Sequence, residues 1–193
     1  MYKRQALVDA SCIHRIPADL SSSPADAAFI PAAETAISIA HDAHPRLGES
    51  IAIFGAGIIG LLTAAALSAA GVSVSVFDPQ PSRLPVALAL GAIRAVAPTA
   101  AVRAAYDVTI ECSGNPVALQ TAIESTREGG KLVVASWYGS KSVALQLGTR
   151  FHRSHIRIVA SQVSRVPAAH GDNWSKHRRF GAAWDLIRRV RPV

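Results

Sequence analysis

Short apolar runs alternate with longer segments of helical character along most of the chain. Runs rich in valine, isoleucine and alanine that end at glycine, serine or a charged residue are typical of the buried strands of a parallel sheet. On this pattern we predict strands over 51–54, 72–77, 93–96, 107–112 and 131–136, with a further strand over 156–163.

The segments outside these strands predict helices over 25–43, 61–70, 82–91, 116–126 and 174–190. The first helix follows Ser23, its expected N-cap, and Pro24, and it should bend or break before Pro31. Ser82 is the expected N-cap of the third helix. The last has apolar residues at helical spacing and is amphipathic. Strands that alternate with helices in this way predict an α/β fold with a Rossmann-type, doubly wound parallel sheet.

A glycine-rich motif joins the first strand to the helix that follows it. Gly55 permits the sharp turn, Gly57 leaves room for a pyrophosphate to reach the backbone, and Gly60 lets the helix pack close to the strand. The amides of Ile58 and Ile59 would face the phosphates at the positive end of the helix dipole. This arrangement predicts a dinucleotide site, and a glycine-rich turn without a ligand is the alternative.

A carboxylate ends the second strand at the spacing expected of such a site. Asp78 can accept hydrogen bonds from the adenosine ribose hydroxyls. Its negative charge would repel the 2′-phosphate of NADP. We therefore expect the cofactor to be NAD.

The composition is that of a folded globular protein, because half of the 193 residues are hydrophobic and 17% are charged. No apolar run is long enough to span a membrane, and the N-terminus lacks the apolar core of a signal peptide, so we expect no membrane association. The two cysteines, Cys12 and Cys112, lie far apart and in no metal-binding spacing. We expect a reducing, cytoplasmic environment.

The formal net charge is +7, and many of the basic residues lie near the C-terminus. Such a charge can indicate nucleic-acid binding. However, the chain has no recognisable nucleic-acid motif, and the arginines of 178–191 share their segment with apolar residues, as on the solvated face of a helix. We therefore expect no nucleic-acid partner.

Further short motifs accompany the glycine motif. They are Glu34-Thr35-Ala36, Leu47-Gly48-Glu49, Asp78 with Arg83, Leu90-Gly91-Ala92, Glu111-Cys112-Ser113-Gly114, Ser136-Trp137-Tyr138-Gly139, Phe151-His152 and Ser161-Gln162-Val163-Ser164. In order and spacing these stretches resemble the medium-chain dehydrogenase/reductase family, the zinc-type alcohol and polyol dehydrogenases. The resemblance covers almost everything after Gln5.

The resemblance implies roles for several residues around the cofactor. Arg83 would lie beside the adenosine ribose, and Cys112 and Ser113 would contact the cofactor after the fourth strand. Ser136 and Trp137 would approach the nicotinamide end, although ordinary packing is an equally good account of the tryptophan.

The resemblance also concerns two residues of the first helix. Thr35 stands where the family has a small polar residue near the nicotinamide. Glu34 matches a glutamate that lies next to the catalytic zinc in the polyol branch. The alternative for Glu34 is a surface carboxylate on a helix.

Against the family pattern, the chain is expected to be truncated at both ends. Residues 1–5 resemble a translated sequencing adapter, a non-native leader. Residues 6–43 match the last part of a β-rich catalytic domain and a connecting helix, residues 44–165 match the NAD-binding domain, and residues 166–193 match a C-terminal helical segment. Remnants of the catalytic domain are therefore expected at the termini.

A catalytic zinc needs three protein ligands and an open fourth position. The available donors are Cys12, Cys112 and two histidine pairs, His41 with His44 and His152 with His155. None of these combinations provides three converging groups. We expect zinc in the complete parent enzyme and no metal site in this chain.

The leading functional interpretation is the NAD-binding portion of an NAD-dependent, zinc-type alcohol dehydrogenase, inactive on its own. In the parent enzyme the substrate would be a small alcohol, and a homodimer is expected by analogy. A non-catalytic NAD-binding module is the second interpretation. A basic protein associated with nucleic acid is the third.

Overall fold

Six strands and six helices make up most of the computed structural model, which describes residues 7–10, 13–20, 24–167 and 173–191. The strands are β1 Ser50–Phe54, β2 Ser73–Phe77, β3 Arg94–Val96, β4 Tyr106–Glu111, β5 Thr126–Val134 and β6 Arg157–Ala160. The helices are α1 Pro24–Ala27, α2 Ile30–Ala43, α3 Ile58–Ala69, α4 Leu84–Ala89, α5 Pro116–Ser125 and α6 Lys176–Val190.

The strands form one parallel sheet in the order β3-β2-β1-β4-β5-β6. The direction of strand order reverses between β1 and β4, which start the two halves of the sheet. Dinucleotides bind beyond the carboxyl ends of the strands at such a reversal. The predicted Rossmann-type fold is confirmed.

Both faces of the sheet are covered, as the packing of β1 shows. Successive side chains of a strand point to opposite faces. Ile51 and Ile53 pack with residues of α2, α3 and β2 on one face, whereas Ala52 and Phe54 pack with residues of β2 and α5 on the other. Residues 51–54 of β1 therefore lack the apolar–polar alternation of a strand that has one face in water.

The structure modifies several predicted element boundaries. The first helix is broken as expected, and Pro31 lies in the first turn of α2. Ser82 is not an N-cap: a 3-10 turn occupies Pro81–Arg83, and the Ser82 hydroxyl accepts a hydrogen bond from the side chain of Gln80. Helix α5 ends at Ser125 because the chain already enters β5 at Thr126. Ser23, the other expected cap, lies outside the described residues.

The amphipathic helix predicted near the C-terminus is confirmed as α6. Its apolar side, which includes Ala183, Trp184 and Ile187, packs against α2 and α3. The described residues that precede β1 form helical segments and no strand. Within the described ranges, no helix combines the length and apolar character needed to cross a bilayer.

Candidate functional site

The glycine turn between β1 and α3 has a geometry that side chains would disrupt. Gly55 has φ +109°, and a Cβ there would lie 2.9 Å from the amide nitrogen of Ser113. A Cβ on Gly60 would lie 1.9 Å from the carbonyl oxygen of Gly55. The backbone of α3 therefore lies directly against the turn, as the sequence predicted for these two positions.

Gly57 faces open space, in contrast to the other two glycines. No atom lies within 4 Å of the position that its Cβ would occupy. It is also the N-cap of α3 and provides no side chain to cap that helix. The first amides of a helix have no acceptor within the helix, so those of Ile58 and Ile59 are left for a group from outside. This end of α3 suits an anion.

Asp78 is buried next to the glycine turn and binds to it. Its Oδ2 accepts a hydrogen bond from the amide of Ala56 at 2.6 Å, and its Oδ1 accepts one from the amide of Gln80 at 2.8 Å. The guanidinium of Arg83, half exposed, lies 3.4 Å from Oδ2. A carboxylate has about four acceptor positions, so Asp78 can hold the turn and still accept from a ligand hydroxyl.

A cleft of about 400 Å³ opens at this edge of the sheet, at the reversal of strand order. Of the residues expected at a cofactor site, it is lined by Gly55, Gly57, Asp78, Arg83, Cys112 and Ser113. Its far wall comes from α5, including Val117 and Thr121, which the sequence analysis did not single out. The motif residues of the two halves of the sheet thus meet around one cavity.

Ser136 and Trp137 follow β5 and do not line this cleft. The Ser136 hydroxyl accepts a hydrogen bond from the amide of Gly114 at 2.8 Å. The Trp137 side chain is 94% exposed. Ordinary packing therefore does not explain the tryptophan.

Glu111, the last residue of β4, belongs to one of the family motifs, but the sequence analysis assigned it no role. It is fully buried, and its Oε1 accepts hydrogen bonds from the amide and hydroxyl of Ser113, both at 2.6 Å. Its Oε2 accepts one from the hydroxyl of Tyr138 at 2.8 Å. Burial and this hydrogen bond raise the pKa of Tyr138 above its usual range. An acidic residue inside an apolar strand was the available signal.

Cys112 lies beside the glycine turn, and its thiol is held in the neutral form. Burial raises the pKa of this thiol well above its usual range, and the charge of Glu111 raises it further. Thiolates, not thiols, react with alkylating reagents.

We therefore predict that Cys112 alkylates slowly at pH 8. In a Cys12→Ser variant, where Cys112 is the remaining thiol, iodoacetamide should react at least about 10-fold more slowly with the folded protein than with the protein in urea. Mass spectrometry of timed samples measures both rates. Equal rates would show that Cys112 is accessible and ionises normally.

Glu34 and Thr35 have partners on the helical side of the molecule. Glu34 is buried and accepts two hydrogen bonds from the guanidinium of Arg179, at 2.8 and 3.0 Å. The hydroxyl of Thr35 donates to the carbonyl of Pro31 at 2.9 Å. Neither residue lines the cleft.

The described residues lack a donor set for a zinc ion. No group of three histidine, cysteine or acidic side chains in the described residues could hold a metal ion. Cys12 lies outside those residues. The described side chains do not fit a catalytic zinc.

Known proteins resemble this chain in sequence. A family model described as zinc-binding dehydrogenase matches residues 59–181, more than half of the chain. Sorbitol dehydrogenase of Bacillus subtilis (strain 168) is 33% identical over 143 residues, covering 68% of this chain and 40% of the relative. D-guloside 3-dehydrogenase of Escherichia coli (strain K12) is 28% identical over 166 residues, covering 80% and 47%.

A solved structure resembles this chain in its fold. L-idonate 5-dehydrogenase from Escherichia coli has a TM-score of 0.77 to this chain at 25% identity, covering 96% of this chain and 51% of that one. The chain spans less than half the length of both curated relatives.

Proposed function

This chain belongs to the zinc-binding dehydrogenase family, and from that premise we propose that it binds NAD as the nucleotide-binding portion of an alcohol or polyol dehydrogenase. One observation carries the proposal: the open amino end of α3 and the carboxylate of Asp78 border the same cleft. The first suits a pyrophosphate and the second suits ribose hydroxyls, which are neighbouring parts of a dinucleotide.

In the proposed complex, each part of the site has a separate task. The pyrophosphate lies against Gly57, and the amides of Ile58 and Ile59 donate to its oxygens. Asp78 accepts from the adenosine ribose hydroxyls, and Arg83 lies beside them. The negative charge of Asp78 in a buried position disfavours a 2′-phosphate, which is why we propose NAD rather than NADP.

The second nucleotide then lies over the carboxyl ends of β4 and β5, the other half of the sheet. Cys112 and Ser113 line the cleft on that side. Ser136 and the exposed Trp137 follow β5 and are proposed contacts of the nicotinamide end. When bound, the nicotinamide accepts a hydride from the substrate.

The activity of the complete enzyme is a wider proposal. The named relatives act on sorbitol and on a D-guloside, which points to a small alcohol or polyol as the substrate class. We assign nucleotide binding to this chain, and substrate binding and zinc to the complete protein. A homodimer is proposed by analogy with the family.

The test of this proposal removes the carboxylate of Asp78. Asp78→Ala should weaken NAD about 10- to 100-fold, since a hydrogen bond to a charged group contributes about 1.5–3 kcal/mol. The difference in affinity between NAD and NADP should become smaller, because the charge that repels the 2′-phosphate is gone and Arg83 remains to bind that phosphate. Calorimetric titration of both nucleotides measures this.

The matched control is Asp185→Ala, which removes an exposed carboxylate of α6 and should leave both affinities unchanged. Thermal unfolding of each variant separates lost binding from lost folding. Equal affinity of the unsubstituted chain for NAD and NADP would refute the proposed preference.

A further inference from the structure

Glu111 has more hydrogen-bond donors around it than its position at the end of a strand requires. Its side chain is 0% exposed. Three donors meet at Oε1: the Ser113 amide and hydroxyl, both at 2.6 Å, and the Gly114 amide at 2.9 Å. The Tyr138 hydroxyl donates to Oε2 at 2.8 Å. A buried carboxylate with four donors is fully satisfied, and its bonds are charge-assisted.

These bonds join the two loops that follow β4 and β5. Ser113 and Gly114 belong to the loop after β4, and Tyr138 belongs to the loop after β5. The Gly114 amide also donates to the Ser136 hydroxyl, a second link between the same loops. Glu111 therefore fixes both loops relative to the sheet and to each other.

The loop after β4 also packs closely against the glycine turn. The amide of Ser113 lies so close to Gly55 that a Cβ there would approach it to 2.9 Å. Ser113 lines the cleft, whereas Glu111 does not. Any effect of Glu111 on a ligand must act through the residues that it holds.

We propose that Glu111 is a positioning residue for the second nucleotide of the dinucleotide, an inference that rests on the proposed binding of NAD. The first nucleotide lies against α3 and Asp78, whereas the hydrogen bonds that Glu111 accepts come from Ser113, Gly114 and Tyr138. The second lies over β4 and β5, where Glu111 holds both loops. Removing the charge of Glu111 should therefore affect the nicotinamide half selectively, because a looser loop must be ordered when the ligand binds.

The test compares a ligand that fills one half of the site with a ligand that fills both. Glu111→Gln keeps the shape of the side chain and removes its charge. With the amide oxygen in the place of Oε1, the three hydrogen bonds there weaken, and the NH2 group in the place of Oε2 can no longer accept from Tyr138. We expect the affinity for NAD to fall about 10-fold, the size of effect that charged hydrogen bonds have. The affinity for ADP should fall less, by no more than about 3-fold, because ADP meets only the glycine turn that Ser113 touches and not the loop after β5. Calorimetric titration of the full chain with each ligand measures both.

Tyr138→Phe provides a second variant that leaves Glu111 in place, and it serves if Glu111→Gln does not fold. It should weaken NAD by about 3-fold and leave ADP unchanged. In the double variant the two losses should not add, because they share one hydrogen bond.

The remaining outcomes contradict the inference. Equal losses for ADP and NAD would mean that Glu111 only stabilises the fold, and no loss for either would mean that it does not position a ligand. If the unsubstituted chain binds ADP and NAD equally tightly, the second nucleotide contributes nothing to the affinity, and Glu111 has no contact to position. An unsubstituted chain that binds neither ligand would overturn the proposed function, and this inference with it.

Discussion

Replacing Gly60 by alanine should destabilise the fold by about 3 kcal/mol and lower the melting temperature by about 10 °C. The added Cβ would lie 1.9 Å from the carbonyl oxygen of Gly55. That oxygen is backbone and cannot rotate away, so α3 must move away from the turn. Residues of α3 such as Leu67 are packed in the main core, and a shift of the helix would open that core. Thermal and urea unfolding measure the loss.

Gly57→Ala is the matched control, since it makes the same change three residues earlier. Gly57 has φ −74°, which alanine adopts readily, and its Cβ would meet no atom within 4 Å. Stability should stay within about 1 kcal/mol of the unsubstituted chain. The new methyl group would occupy the space proposed for the pyrophosphate, so NAD affinity should fall at least about 10-fold. A Gly57→Ala chain with full NAD affinity would contradict the proposed position of the pyrophosphate.

Replacing Arg179 by methionine should lower the free energy of unfolding by about 3–5 kcal/mol, the usual loss when one partner of a buried ion pair is removed. Arg179 and Glu34 are both buried, and the substitution would leave the carboxylate of Glu34 without its counter-charge. The same guanidinium donates to the carbonyls of Val163 and Arg165, which would also lose their donor. Methionine keeps most of the volume, so the loss measures the charge and the hydrogen bonds. Urea unfolding gives the free energy.

Two further variants separate this mechanism from a general weakness of α6. Arg188→Ala removes a partly exposed arginine of the same helix that pairs with the exposed carboxylates of Asp19 and Asp185, and little change in stability is expected. Glu34→Met combined with Arg179→Met should recover much of the lost stability, because no buried charge is then left alone. If Arg179→Met lowers the free energy of unfolding no more than Arg188→Ala does, the buried ion pair does not stabilise the fold more than an exposed one.

The sequence predicted the glycine turn well because all of its determinants are local. Gly55, Gly57 and Gly60 lie within six residues, and their roles follow from the backbone of a strand, a turn and a helix. Asp78 was predicted with them because the next strand in the chain is also the neighbouring strand in the sheet. Local spacing and spatial position coincide there.

Prediction was weaker where distant parts of the chain meet. Glu34 and Arg179 are separated by 145 residues, so nothing near Glu34 in the sequence identifies its partner. The Glu111–Tyr138 hydrogen bond likewise joins the ends of two strands. Ser82 failed as an N-cap because a serine before a helix is only a propensity, and here a 3-10 turn precedes α4 instead.

The hydrogen bond between Asp78 and Ala56 has a consequence for engineering the cofactor preference. The obvious route to an NADP-dependent variant replaces the acidic residue by a small or basic one. Here that substitution would also remove the acceptor of the Ala56 amide, which donates to Asp78 at 2.6 Å. Asp78→Asn is a better starting point, because its amide oxygen can still accept from Ala56 while the charge is removed. The donor then left without an acceptor is the Gln80 amide, in an exposed turn where water can reach it.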